Sequence, residues 1–294
     1  MSAEVLAIDI GGTKFAAGVV DEHGGVRAVD RTPTEPGADG ETLWSNLEGL
    51  LDRVLAVADS PQISGVGVGC GGPMRWPAGE VSPLNIPGWR EFPLRQRLRD
   101  RYPGVPVRIH NDAVAVAIAE HWRGAGRGAS HMLGMVVSTG VGGGLVLGGH
   151  LVDGVSGNAG HIGHVVVEPD GRRCVCGARG CLEAEASGTA IAAITGWPAA
   201  AAGPEVVART GRLVGRAVAA VANLCDLRLA CVAGSVALGY GAPFFAAAQA
   251  ELDASARLDF SRGSRIVPGG LGADGPLIGA AAVGWRALGR PILA

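Results

Sequence analysis

Val5-Leu6-Ala7-Ile8-Asp9-Ile10-Gly11-Gly12-Thr13-Lys14 reads as an apolar strand over residues 5–10, a turn, and a return into a second apolar run from Phe15 to Val20. The figure recurs further on: residues 133–137 are apolar, Ser138-Thr139-Gly140-Val141-Gly142-Gly143-Gly144 turns, and Leu145 to Leu147 resume. Two strand–turn–strand units, one in each half, predict two α/β domains facing each other across a cleft. Taken singly, each turn is compatible with an ordinary tight hairpin. Taken together they point to phosphate. Gly11, Gly12, Thr13 and Lys14 follow a strand and offer several N–H donors, while Asp9 at the strand end is placed to hold Mg2+. Thr139, Gly140 and the glycines beyond would cradle the same nucleotide from the opposite domain.

Helical periodicity fills the space between. Leu43, Leu47, Leu50, Leu51, Val54, Leu55 and Ala58 recur at three- and four-residue steps, which predicts an amphipathic helix ending near Pro61. Asn111 or Asp112 caps a helix from about Ala113 to Trp122, with Gly124 beyond its end. A helix over roughly 206–224 leads to a strand, Leu229 to Ala233, and a last helix covers about 277–288. With 294 residues, 48% of them hydrophobic, the chain buries one large core or two of ordinary size. The expected division is 1–112 and 113–276, with the last helix returning to the first domain.

Composition narrows the function. A net charge of -2 without a long basic run leaves no electrostatic footprint for nucleic acid or an anionic membrane, so small-molecule chemistry is favoured. The uncharged run from Met132 to Gly149 is glycine-rich and turns at Ser138-Thr139-Gly140, which predicts two strands rather than a membrane span. The first residues lack a basic segment and place charge inside the first apolar run, unlike a signal peptide. A soluble cytoplasmic protein is expected.

His161-Ile-Gly-His164 and Cys174-x-Cys176-x4-Cys181-x-Glu183 gather soft ligands within one short loop. His164, Cys174, Cys176 and Cys181 form a Cys3His set suited to a closed tetrahedral structural Zn2+, with Zn–S distances of about 2.3 Å. Gly177 and Gly180 allow the turns this requires. The competing reading is a disulfide, but Cys174 and Cys176 are too close for easy mutual bridging. Cys70, Cys225 and Cys231 read as interior thiols.

Rival nucleotide motifs fail. There is no Gly-x4-Gly-Lys-Ser/Thr run. Gly67, Gly69 and Gly72 satisfy a bare Gly-x-Gly-x-x-Gly, but Pro73 and the prolines through Pro87 forbid the helix a dinucleotide needs, so these glycines are expected to bring backbone close to a ligand. Asp112 follows the strand Val107 to His110 and reads equally as a plain helix cap or as a base that takes a hydroxyl proton. Asn85 lies in a proline-rich stretch, where its amide serves a ligand or a turn.

Asp9-Ile-Gly-Gly-Thr-Lys14, Asn111-Asp112, Ser138-Thr-Gly-Val-Gly-Gly-Gly144, Gly160-His-Ile-Gly-His164 and Cys174-Val-Cys-Gly-Ala-Arg-Gly-Cys-Leu-Glu183 together resemble the successive motifs of ROK-family sugar kinases. The resemblance runs nearly end to end. It implies a two-domain actin/hexokinase-like (ribonuclease H-like) fold closing on ATP and a sugar, a zinc in the larger domain, and a homodimer or homotetramer. It casts Asp112 as general base for the sugar 6-hydroxyl. Gly72, Asn85, Asn111, His161, His164 and Glu183 fall at the sugar, Gly11, Gly12, Thr13, Lys14, Thr139 and Gly140 at the phosphates, and Gly234 and Ser235 at the adenosine. His164 then shares its ring between zinc and a sugar hydroxyl.

Two positions depart from the family pattern. His161 replaces the usual glutamate of Glu-x-Gly-His, exchanging a two-oxygen acceptor for a ring that, when neutral, offers one donor and one acceptor. Bacterial N-acetylmannosamine kinases are similar in this respect, so a 2-acylamino sugar stands beside glucose as substrate; drift in a sensor or a promiscuous hexokinase is the competing reading. Ala113-Val114 follows Asn-Asp where a polar residue is commoner. The family also includes repressors with a DNA-binding module ahead of the kinase-like part. Here the phosphate turn starts nine residues in, and that module is not expected.

Overall fold

The computed structural model describes residues 3–59 and 62–293; Pro61, near which the first helix was expected to end, lies outside them. The chain starts with β1 (Glu4–Ile10), β2 (Lys14–Asp21), β3 (Val26–Pro33) and α1 (Gly40–Val57), then β4 (Ile63–Cys70) and the short pair β5 (Met74–Arg75) and β6 (Glu80–Val81). α2 (Leu94–Arg101), β7 (Val107–Asn111) and α3 (Asp112–Arg123) follow. The second half contains β8 (Met132–Val137), β9 (Val141–Leu147), β10 (His150–Leu151), α4 (Leu182–Ala186), α5 (Gly188–Thr195), α6 (Pro204–Cys225), β11 (Leu229–Ala233), α7 (Ser235–Tyr240), α8 (Ala242–Ser255), β12 (Arg265–Pro268) and α9 (Gly275–Ala287).

The two halves repeat one topology. The first sheet runs β3-β2-β1-β4-β7 and the second β10-β9-β8-β11-β12. In each, an antiparallel meander of three strands is extended by two parallel strands. Met132 to Gly149 forms the β8–β9 hairpin and the turn that precedes β10, in agreement with its reading as two strands. Among the described residues, no helix is long and apolar enough to cross a membrane.

Strand alternation decides which face each residue takes. Leu6, Ile8 and Ile10 of β1 join Leu43, Leu47, Leu50, Leu51 and Val54 of α1 in one core. Val5 and Ala7 point the other way, onto Leu277, Ala280, Ala281 and Trp285 of α9. Asp9 shares the parity of Val5 and Ala7. In the second sheet, Leu133, Met135 and Val137 pack with α6, whereas Met132 and Val146 pack with Val114, Ala115 and Ile118 of α3 and Ala282 and Val283 of α9.

Two helices thus lie between the sheets, α9 against β1, β4 and β7, and α3 against β8 and β9, in contact with each other. Missing side chains permit this closeness. A Cβ on Gly67 would fall 1.9 Å from the Ala280 carbonyl, and one on Gly279 would fall 2.5 Å from that of Ala115. Gly134, Gly142 and Gly144 likewise seat α3, where added Cβ atoms would meet Ala117 at 2.5 Å, Ala113 at 2.7 Å and Ala117 at 3.0 Å. This corrects the expectation for Gly67, Gly142 and Gly144: the close approach they admit is that of a helix, not a ligand.

Gly279→Val is therefore expected to destabilise the protein by about 3 kcal/mol, because backbone rather than a movable side chain opposes it. Gly239→Ala, where nothing lies within 4 Å of the new methyl, serves as control. It should leave stability unchanged or raise it by less than about 1 kcal/mol; equal urea midpoints for the two variants would contradict the close-packing argument.

Candidate active site and metal cluster

At the β7–α3 junction the helix cap is separate from Asp112. Asn111 is the cap: its Oδ1 accepts from the N–H groups of Ala113 at 3.0 Å and Val114 at 3.4 Å. Asp112 is the first helical residue, and its Oδ1 accepts from the N–H of Ala113 at 2.7 Å. Burial pushes its carboxyl above the ordinary value, helped by the charge of Glu183 and opposed by the hydrogen bond from Ala113.

Asp9 is the neighbouring acid. A Cβ placed on Gly69 would lie 3.6 Å from Asp112 Cα and 3.8 Å from Asp9 Oδ1, so that glycine separates the two acids by little more than its own backbone. Burial pushes the Asp9 carboxyl up to about 7, with the charge of Asp112 adding and that of Lys14 opposing. A cation between them would reverse this by stabilising both ionised forms.

Each hairpin turn keeps donors free. Gly11 N–H closes the first turn onto the Lys14 carbonyl at 3.1 Å, while Thr34 braces it, donating from its N–H to the Thr13 carbonyl at 3.0 Å and from Oγ1 to the Gly11 carbonyl at 2.7 Å. Among the described residues, nothing accepts from the N–H groups of Gly12 and Thr13, which with Lys14 are exposed. In the second turn Ser138 N–H donates to the Gly140 carbonyl at 2.9 Å, and the N–H groups of Thr139 and Gly140 are likewise without acceptors among the described residues. Unpaired, exposed N–H groups in a tight turn attract anions. Ser235 Oγ lies 2.9 Å from Ser138 Oγ, and Gly234, with φ +100°, sits where a Cβ would be 2.4 Å from the Val137 carbonyl. The structure thus places Gly234 and Ser235 at the base of this turn.

The residues expected at a sugar gather beside the junction. Asn85 rests on the first turn, since a Cβ on Gly12 would fall 2.5 Å from its own Cβ. Gly72 approaches Asn111, whose Nδ2 would be 3.4 Å from an added Cβ. Glu183, on the first turn of α4, accepts from the Val141 N–H at 3.0 Å through Oε2. Its charge reaches both Asp112 and His161. His161 and His164 stack with ring centroids 6.1 Å apart, and burial, then the neighbouring His164, holds His161 below the ordinary imidazole value and so neutral.

His164, and not His161, joins the thiol cluster. The ligand atoms of His164, Cys174, Cys176 and Cys181 all lie within 4.8 Å of one another. Cys176 Sγ and Cys181 Sγ are 3.7 Å apart, and Cys174 Sγ is 3.7 Å from His164 Nδ1. A tetrahedron with Zn–S bonds of about 2.3 Å has edges of about 3.8 Å. The donor set therefore fits a zinc ion, and the sulfur separation is too long for a disulfide. Gly177 at φ +96° turns the loop between the second and third cysteines, and at Gly180 an added Cβ would collide with the Glu168 carbonyl at 1.6 Å. With Nδ1 toward the sulfurs, Nε2 is the nitrogen left for another partner.

The ROK family model matches residues 5–286. The chain belongs to the ROK family. It is 38% identical over 251 residues to an N-acetylmannosamine kinase from Yersinia pseudotuberculosis, covering 80% of this chain and 84% of that one. It is 41% identical over 192 residues to a glucokinase from Thermotoga maritima, covering 64% of this chain and 58% of that protein, so this match spans less than two thirds of the glucokinase. A ROK hexokinase from Thermus thermophilus superposes with a TM-score of 0.81 at 32% identity, covering 97% of this chain and 99% of the other. The ROK chain accordingly has the two-domain actin/hexokinase-like α/β fold that its motifs implied.

Thr34 is a contributor that the sequence does not reveal, since a lone threonine 23 residues from Gly11 carries no local signal. Two measurements test the site. The folded protein keeps the Asp9 proton up to about pH 7, whereas an unfolded chain releases it near pH 4. Between those values the native state binds more protons, so stability must fall as pH rises. Asp9→Asn should flatten that fall in Tm; an equally steep fall in the variant would remove Asp9 as its source. For the cluster, native mass spectrometry should find one zinc per chain. Cys181→Ser should abolish it and lower Tm by about 10 °C or more; a metal-free wild type of unchanged Tm would dismiss the zinc.

Proposed function

We propose that this ROK-family protein is an ATP-dependent kinase that transfers the γ-phosphoryl group of ATP to the 6-hydroxyl of a hexose or N-acylhexosamine, with glucose and N-acetylmannosamine as the leading acceptors. The observation that supports this most is an Asp112 relieved of capping by Asn111, together with two turns in which the N–H groups of Gly12, Thr13, Thr139 and Gly140 have no acceptor among the described residues. Asp112 accepts the hydroxyl proton as the oxygen attacks, and its raised value is set by burial ahead of any charge. The N–H groups of Gly12, Thr13, Thr139 and Gly140 receive phosphate oxygens, with Lys14 beside them and Gly234 and Ser235 at the adenosine. Asp9 holds Mg2+, which neutralises phosphate charge when bound.

Gly72, Asn85, Asn111, His161, His164 and Glu183 orient the sugar. A lobe of residues 1–112 joined by the last helix closes on a lobe of residues 113–276 and excludes water, the competing acceptor. The zinc is structural, fixing the His164 ring so that Nε2 faces the sugar. Neutral His161 presents one donor and one acceptor, and the acetamido group of an N-acylhexosamine presents the complementary pair. The proposed setting is cytoplasmic, as a homodimer or homotetramer without nucleic-acid or membrane partners.

A second reading, a sugar-sensing ROK protein without turnover, is favoured only if sugar binds and no ADP forms. Asp112→Asn is expected to lower kcat by about 10^3-fold or more while sugar and ATP binding persist. Near-normal turnover would end the assignment. His161→Glu should shift kcat/KM toward glucose and away from N-acetylmannosamine by about tenfold or more; an unchanged ratio in a coupled assay would separate His161 from specificity.

A further inference from the structure

We propose that His110 is a positioning residue, which through a single hydrogen bond to Asp153 ties the strand end carrying Asn111 and Asp112 to the loop that leads into His161. The proposal rests on the kinase reading for its consequence, though not for its geometry.

His110 is 1% exposed, near the end of β7. Its Nδ1 lies 2.9 Å from the backbone N–H of Asn111, which has only a proton to offer, so Nδ1 accepts and is unprotonated. The ring proton is then on Nε2, which donates to Asp153 Oδ1 at 3.0 Å. One neutral tautomer satisfies both contacts. Asp153 is fixed in turn: its second oxygen is 3.9 Å from Arg286 Nη2 on α9, and its carbonyl accepts from Ala159 at 3.2 Å, closing the loop. Within that loop, Gly157 leaves no room for a side chain, since a Cβ would meet the Trp76 ring at 2.6 Å, and Trp76 lies 6.5 Å from the His110 ring. The His110 hydrogen bond outweighs burial, which acts in the opposite sense, and with the charge of Arg286 keeps the Asp153 carboxyl below its ordinary value.

The arrangement is directional. The imidazole grips the Asn111 N–H, while the Asn111 side chain caps α3 and thereby sets where Asp112 starts. Asp153 grips the other end of the ring and stands eight residues before His161. The proposed base and the proposed sugar-binding histidine are thus referenced to one another through a ring that touches no substrate. Misplacement of about 1 Å costs such a reaction about 10^2-fold.

Two substitutions separate the two ends of the ring. His110→Asn retains an acceptor near Nδ1 but cannot reach Asp153, whereas His110→Gln retains a donor near Nε2. His110→Asn and Asp153→Ala should each lower kcat by about 10- to 100-fold with sugar KM nearly unchanged. The double variant should be no slower than either single one, and His110→Gln should stay within about threefold of wild type. Wild-type kcat in His110→Asn, or losses that multiply in the double variant, would overturn the proposal, as would a fall in Tm without a fall in kcat. If Asp153→Ala does not fold, His110→Asn carries the test. An imidazole 15N spectrum supplies a readout independent of turnover: a neutral Nε2–H ring that loses its strong hydrogen bond in Asp153→Ala is expected, and an Nδ1–H ring or an imidazolium would refute the contact. A wild type inactive on every sugar would defeat the kinase reading and leave that spectrum to judge the link.

Discussion

The close crossing of α3 and α9 is the constraint on which the rest of the molecule depends. Gly279 brings the backbone of α9 against Ala115, Gly67 brings β4 against α9, and three further glycines of β8 and β9 bring the second sheet against α3. Both sheets are consequently referenced to the same helix pair. α3 begins at Asp112, so the packing that joins the halves also fixes that carboxylate at the start of the helix. A bulkier residue at these positions would cost stability by overpacking and would displace the site at once.

Electrostatics at the junction follow from that packing. Asp9, Asp112 and Glu183 come from different parts of the chain; beyond burial, the charge of Asp112 raises the proton affinity of Asp9, and that of Glu183 raises the proton affinity of Asp112. In water such carboxylates would separate and ionise independently; burial makes the grouping unfavourable in the absence of a cation and phosphates. An arrangement disfavoured when empty suits a site whose ligands bring compensating charge. The Cys3His loop follows different physics. Its four ligand atoms lie within 4.8 Å of one another, a convergence that costs conformational freedom and that a metal ion would repay with folding free energy.

Much of this was legible in the chain because it depends on local pattern. The hairpin turns, the α1 stripe, the β11 strand and the Cys3His spacing rest on periodicity and on glycines at turns, and all occur where the sequence places them. Asn111 and Asp112 were less legible, because adjacent residues of similar capping chemistry differ only in which carbonyl faces the helix N–H groups. Gly142 and Gly144 misled, since glycine marks close approach without saying whether a helix or a ligand approaches.

By itself, then, the sequence determined the two repeated hairpins, the helices beside them, the grouping of His164 with three cysteines, and the family. Those features arise from interactions within a few residues, where spacing sets geometry. Only the tertiary structure decided that Asp9 and Asp112 are neighbours, that Thr34 braces the first hairpin turn, and that His110 meets Asp153 across 43 residues. Such contacts are set by how sheets and helices stack, and a polar side chain far along the chain carries no mark of its partner until packing brings the two together.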